Sequence, residues 1–251
     1  MSERIVKICG VQTVDAAKAA AALGADVIGM IFAPSPRLLD IATAREIAEA
    51  VVRTTREAEV SVDSSVSAEG AYFKTRMQQV FGKGEKRPQL CGVFQNQPVE
   101  HILDVVSQVP LDLVQLHGDE PVGLAKQIPV PVIKVFHVDD GFDVDQAGEL
   151  LRTDCHSIIL LDTKVAGQQQ QGGRGVSFDW TIARKLADRG VPFLMAGGLT
   201  PDNVQEAVQV GAPWGVDVSS GVETDKAKDE AKIMAFVDSA KGKEGSIIKN
   251  T

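Results

Sequence analysis

The sequence predicts one closed (β/α)8 barrel, and three observations carry that reading. Short runs rich in Val, Ile and Leu alternate with amphipathic helical stretches, and the alternation counts out to eight units. Side chains able to do chemistry stand just after many of these runs. An open doubly wound sheet would instead gather its ligand at a single switch point. The length, 251 residues, suits one barrel, a fold that takes about 250.

The units follow in order. A first strand over 4–9 precedes an Ala-rich helix over 13–23, and a second strand over 26–32 precedes a helix over 43–53. The third strand, 90–94, leads to a helix over 98–107, and the fourth, 113–116, to one over 120–127. A fifth run at 132–136 precedes a helix near 144–151, and a sixth at 157–161 reaches a helix over 178–189 through a long loop. The seventh run, 193–196, precedes a helix opened by Thr200-Pro201-Asp202-Asn203, with Thr200 suited to the N-cap and Pro201 to the first helical position. The eighth, 214–218, precedes a last helix over 226–241.

Two segments break this rhythm within a single domain spanning 1–251. Residues 57–87, between the second helix and the third strand, are rich in Ser, Glu, Gln, Lys and Arg. They read as a surface insertion, helical around 72–81 and otherwise disordered. Preceding a strand, the insertion belongs at the barrel end away from chemistry. Residues 163–176 follow a strand and hold a Gln run and a glycine-rich stretch, which reads as a loop able to close over substrate. The tail after Gly242 reads as frayed.

Composition narrows the function. The formal net charge is -8 and no basic stripe occurs, which argues against nucleic acid as a partner. No apolar run approaches the ~20 residues of a membrane span. The first residues lack a basic region followed by an apolar one, so no secretory signal is expected. Cys9, Cys91 and Cys155 are odd in number and widely spaced, which suggests neither a disulfide framework nor a zinc motif. The cysteines suggest a reducing compartment, and a cytoplasmic protein is the expectation. A monomer is expected.

Several residues are candidates for chemistry. Cys9 ends the first strand, just before Gly10, and Lys7 alternates with it on the same side. A free Cys is usually an inert core residue, but a thiol at a strand's carboxyl end beside a cation can act as a base. Asp162 ends the sixth run, either capping a loop or serving as an acid. Arg37, in a loop stiffened by Pro34 and Pro36, has the fork to hold a carboxylate or phosphate, or is a surface arginine. His117 is either an acid–base group or a structural hydrogen-bonding residue, and Asp217 either orients substrate or holds a loop amide. Gly197-Gly198 and Ser219-Ser220-Gly221 follow the seventh and eighth strands, where barrels often bind phosphate through backbone N–H groups. His117, Asp162 and Asp217 lack metal-ligand spacing, so no metal is expected.

Taken together, Lys7-Ile8-Cys9-Gly10, the stretch from Phe32 to Arg37, Gly92-Val93-Phe94, Gln115-Leu116-His117-Gly118, Leu160-Leu161-Asp162, Gly172-Gly173 with Phe178-Asp179-Trp180, Ala196-Gly197-Gly198-Leu199 and the run from Val216 to Glu223 resemble the phosphoribosylanthranilate isomerase family of tryptophan biosynthesis. The pieces occur in order over nearly the whole chain. The resemblance implies a cofactor-independent Amadori rearrangement of a small-molecule substrate, N-(5-phosphoribosyl)anthranilate. It implies Asp162 as general acid, Cys9 as general base and Arg37 on the anthranilate carboxylate. His117 and Asp217 would line the pocket, and Gly172, Gly173, Gly197, Gly198, Ser219, Ser220 and Gly221 would hold the phosphate. Leu38, where an aromatic is frequent, and Arg174, where a small residue is common, depart from the pattern. The alternatives are another phosphosugar barrel enzyme, of the indole-glycerol-phosphate synthase or pentose-phosphate epimerase type, and a non-catalytic phosphometabolite sensor.

Overall fold

The computed structural model describes residues 4–52, 56–58, 68–82, 84–139, 141–146, 148–163 and 178–242. The glycine-rich loop after Thr163, with Gly172 and Gly173, lies outside the described residues, as does the tail after Gly242. Eight parallel strands close into a barrel: Ile5–Cys9, Val27–Ile31, Gln89–Phe94, Leu113–Leu116, Val132–Val138, Ile158–Thr163, Leu194–Met195 and Gly215–Val218. Each pairs with its neighbours in sequence, and the first closes on the eighth with Lys7 opposite Asp217. The sequence reading of the fold holds.

Strand alternation sorts the side chains. One parity (Ile5, Cys9, Val27, Cys91, Leu113 and Ile158 among others) fills the barrel interior. The other parity, including Val6, Ile8, Ile28 and Met30, packs against the surrounding helices. Burial on both faces is why these strands read as near-continuous apolar runs. The helices are α1 (Val14–Ala22), α2 (Ile41–Val52), α3 (Ala68–Phe81), α4 (Val99–Gln108), α5 (Trp180–Asp188), α6 (Val204–Gly211) and α7 (Glu230–Lys241). Thr13, Asp179 and Asp229 cap α1, α5 and α7 by accepting from backbone N–H groups of the first turn.

Helix α3 stands between α2 and the third strand. Phe73, Met77 and Phe81, four residues apart, make its buried stripe. Met77 and Phe81 join the interior cluster beside Ile5, Val27 and Ile158, at the amino ends of the strands. The Tyr72 hydroxyl donates to the His156 carbonyl at 3.3 Å, and Arg76 Nη2 donates to Ser157 Oγ at 2.9 Å. The helix therefore covers the barrel end opposite the catalytic-type residues.

Four local expectations are corrected. In place of a helix near 144–151 the described residues form turns. Backbone bonds here close over two or three residues, from Gln146 N–H to the Asp143 carbonyl, Gly148 N–H to the Gln146 carbonyl and Arg152 N–H to the Glu149 carbonyl, and Gly148 in mid-segment weakens a helix. The segment after the fourth strand is a 3-10 helix over Val122–Gln127. Helix α6 begins at Val204, not beside Thr200, because Asn203 ties the preceding turn: its Oδ1 accepts from Thr200 N–H, and its Nδ2 donates to the Gly198 carbonyl. The last helix starts at Glu230, because Glu223–Thr224 and Ala227–Lys228 form a small hairpin. Its turn residues, Asp225 and Lys226, take φ of 50° and 68°, the signs a two-residue hairpin turn needs.

Candidate active site

The carboxyl ends of the strands surround one cavity. Cys9, Arg37, His117, Asp162 and Asp217 all line it, and so do Gly197, Gly198, Ser219, Ser220 and Gly221. Every described residue nominated from sequence is thus brought to one place.

The first, second and eighth strands supply a basic, sulfur-bearing wall. Cys9 is the last residue of the first strand and 6% exposed. Gly29 lies opposite it in register, and a Cβ there would fall 2.8 Å from the sulfur. The missing side chain makes room for the thiol. Gly10 then turns the chain at φ 72°, where a side chain would meet Arg37. Lys7 is fully buried inside the barrel, and its Nζ donates to Asp217 Oδ2 at 2.9 Å. Burial pushes the Cys9 thiol up, and the nearby Lys7 ammonium is the strongest influence opposing it. Cys91 is pushed up to about 12 by burial, which keeps it an inert thiol.

Arg37 is already engaged. Its Nε and Nη2 donate to Glu223 Oε1 and Oε2, each at 2.7 Å. Lys228 Nζ donates to the same carboxylate at 2.7 Å and to the Ser219 carbonyl at 2.9 Å. Burial works against the Glu223 carboxylate, but hydrogen bonds from Arg37 and Lys228 prevail and hold it below its ordinary range. With the Nε side of the guanidinium occupied, the Nη1 end remains for a ligand.

The opposite wall comes from the fourth to sixth strands. Asp162, 3% exposed, accepts from the Thr163 N–H at Oδ1, 2.8 Å. Its Oδ2 lies 3.4 Å from His117 Nε2. Gln115 Nε2 lies 2.9 Å from His117 Nδ1, and His137 Nε2 lies 2.9 Å from the His117 carbonyl. Glu120 fixes the loop after His117 by accepting from Gly118 and Asn96 N–H groups and from Lys134. Gly197 has φ 89°, and a Cβ there would collide with Thr163 Oγ1 and reach 3.0 Å from Asp162 Oδ1. Only glycine lets the seventh loop pass so close to the acid.

Between the walls, the seventh and eighth loops offer backbone. A Cβ on Gly221 would strike the Leu199 carbonyl, so the two loops touch. The Ser219 and Thr163 hydroxyls are buried without a protein partner among the described residues. Among those residues no three His, Cys, Asp or Glu side chains converge on a metal-binding geometry. Sequence reasoning passed over Gln115, Glu223 and Lys228 as working residues. Glu223 stood at the end of the run that carries the family resemblance, and Lys228 was signalled by no more than an opposite charge five residues on.

Comparison with known proteins gives a consistent answer. Residues 39–239 match the family model described as N-(5'phosphoribosyl)anthranilate (PRA) isomerase. A multifunctional tryptophan biosynthesis protein of Phycomyces blakesleeanus is 43% identical over 94% of this chain, which spans 32% of that protein. The chain thus spans about a third to a half of several curated relatives it matches. It covers 98% of an N-(5'-phosphoribosyl)anthranilate isomerase of Roseiflexus castenholzii, at 41% identity over 94% of this chain. Among solved structures, phosphoribosyl anthranilate isomerase of Thermotoga maritima superposes with a TM-score of 0.72 at 33% identity, covering 95% of this chain and 99% of that one. Another solved structure, phosphoribosyl anthranilate isomerase in complex with reduced 1-(o-carboxyphenylamino)-1-deoxyribulose 5-phosphate, gives a TM-score of 0.69 at 33% identity, covering 95% and 99%.

Proposed function

This chain belongs to the phosphoribosylanthranilate isomerase family, and on that premise we propose that it converts N-(5-phosphoribosyl)anthranilate into 1-(2-carboxyphenylamino)-1-deoxyribulose 5-phosphate. The observation that carries this reading is the placement of Cys9 and Asp162 on facing walls of one cavity. The rearrangement needs a proton donor at the ribose ring oxygen and a proton acceptor at C2′, two different atoms of one sugar. Groups on opposite walls meet that demand without moving.

The steps follow from the residues. The Asp162 carboxyl gives its proton to the ring oxygen as the C1′–O bond breaks, and the anthranilate nitrogen lone pair closes a Schiff base. Cys9, as thiolate, takes the C2′ proton, and those electrons neutralise the imine nitrogen to leave an enolamine. The enolamine then ketonises: its C2′ hydroxyl loses a proton and C1′ gains one, which lets acid and base reset. Arg37 offers its Nη1 end to the anthranilate carboxylate while Glu223 holds its other side. Gly197, Gly198, Ser219, Ser220 and Gly221 receive the phosphate through backbone N–H groups, and Gly172 and Gly173 complete that subsite by the family resemblance. Asp217 and His117 contact the sugar.

The described catalytic and binding groups line a single cavity at the mouth of one barrel, which is in keeping with catalysis by a monomer. Among the described residues no helix is long and apolar enough to cross a membrane. The unpaired thiols of Cys9, Cys91 and Cys155 support a cytoplasmic place of work. The test follows the loss of the substrate's anthranilate fluorescence on adding purified protein. Turnover is expected in the wild type, and Cys9→Ser and Asp162→Asn should each lower kcat by roughly 10²–10⁴ while the fold is kept. Full activity in either variant removes its role.

A further inference from the structure

We propose that Lys7, held by Asp217, is the positioning residue that keeps Cys9 available as a thiolate. The inference rests on Cys9 being the base and goes further, assigning the charge that makes a buried thiol serve. Lys7 has no access to solvent and stands two residues before Cys9 on the same strand, pointing to the same interior. An ammonium in such a place is costly unless paired, and a Met or Leu would fill the space at lower cost. The barrel layers around it are otherwise largely apolar, with Ile5, Val27, Leu113 and Ile158. Packing therefore does not account for a lysine here.

Register supplies the counter-charge. Lys7 pairs directly with Asp217 across the seam that closes the barrel, and the carboxylate receives the ammonium at 2.9 Å. The other carboxylate oxygen, Asp217 Oδ1, is buried without a protein partner among the described residues, and Asp217 lines the cavity. Lys7 thus lies between one carboxylate and one sulfur. Its positive charge acts on that sulfur from two residues away on the same strand face, favouring the thiolate.

The other charges at the sulfur do not substitute for it. Asp217 disfavours the thiolate, and Cys91 is a buried neutral thiol. Lys228 and Arg37 lie on the loop side, and both are committed to Glu223. Burial pulls the Lys7 pKa down, but Asp217 and Cys9 prevail and hold it above its ordinary value, so the residue stays a cation throughout the working range.

The experiment titrates Cys9 in ligand-free protein by the pH dependence of iodoacetamide alkylation. The background is Cys155→Ser, which removes the one other thiol that is not fully buried. An opposite charge within about 4–6 Å moves a pKa by about 1–3 units, so the midpoints have a required order. Asp217→Asn removes the carboxylate that opposes the thiolate and leaves Cys9 as the remaining anionic partner of Lys7, so its midpoint should fall about one unit below the parent. Lys7→Met should rise about one unit or more above it, and Lys7→Met/Asp217→Asn should lie between parent and Lys7→Met. The acid limb of kcat/KM against pH should move with the alkylation midpoint in every variant that turns over. A lysine with only a structural role leaves the midpoints together, and that result, or shifts of the same sign in Lys7→Met and Asp217→Asn, overturns the proposal. If Lys7→Met fails to fold, Asp217→Asn and the charge-neutral double variant still decide the order. A wild type without isomerase turnover would defeat the proposed function and leave this titration standing; a wild type with turnover but no ordered shift defeats only the role of Lys7.

Discussion

The two ends of this barrel are closed by opposite materials. At the amino ends of the strands, Met77 and Phe81 of α3 cover the interior with apolar surface, and Phe73 of the same helix anchors it in the outer layer beside His156. At the carboxyl ends the same alternation brings Cys9, Asp162 and Asp217 inward, and among the described residues buried polar atoms of Asp217, Ser219 and Thr163 have no hydrogen-bond partner. Such atoms are expensive in a core and are kept where a ligand will satisfy them. One end therefore holds the fold together, and the other spends stability on groups that await a substrate.

If that division is right, damage to the two ends should register in different measurements. The largest effect is expected at the apolar end. Phe81→Ala should lose about 3–5 kcal/mol in urea unfolding, with kcat per folded molecule unchanged. A fall in kcat would couple the ends and break the contrast.

The same end should also respond to acid. His156 is buried against Phe73 and Phe136, and burial lowers its pKa from 6.5 to about 4. The unfolded chain therefore takes up a proton first, so stability present above pH 6.5 is lost as pH falls toward 4. The loss amounts to something on the order of 3 kcal/mol. Urea midpoints between those pH values should drop more in the wild type than in His156→Gln; parallel curves would refute the assignment.

At the polar end the readout changes to kinetics. Gly29→Ala would place a Cβ 2.8 Å from the Cys9 sulfur. A displacement of that kind should cost about 10²-fold in kcat, while the far-ultraviolet spectrum stays native. A smaller effect is expected from Arg37→Lys, which keeps the charge but gives up the two-pronged grip on Glu223. There KM should rise roughly tenfold, with kcat changing less. An unchanged KM would remove Arg37 from substrate binding.

The same contrast explains how much could be read from the sequence. Eight strands were legible because burial on both faces writes itself as Val, Ile and Leu runs. Cys9, Asp162 and Asp217 were legible because each stands at or next to the carboxyl end of such a run. The helix expected near 144–151 gives way to turns because backbone bonds there close over two or three residues around Gly148. Thr200 looked like a cap, but Asn203 three residues later makes the bonds. The pairing of Lys7 with Asp217 joins residues 210 positions apart. Only barrel closure creates it, so no local pattern announces it. Arg37 was legible as a fork, but not as one half-occupied by Glu223, whose hairpin depends on two residues at positive φ.

The most direct measurement is a crystal structure of this chain with reduced 1-(o-carboxyphenylamino)-1-deoxyribulose 5-phosphate. Cys9 Sγ should lie within about 3.5 Å of C2′, with the Asp162 carboxyl at the oxygen released from the ring and the phosphate against Gly198 and Gly221. An analogue bound with C2′ turned away from the sulfur, or with both groups on the same side of the sugar, would contradict the account.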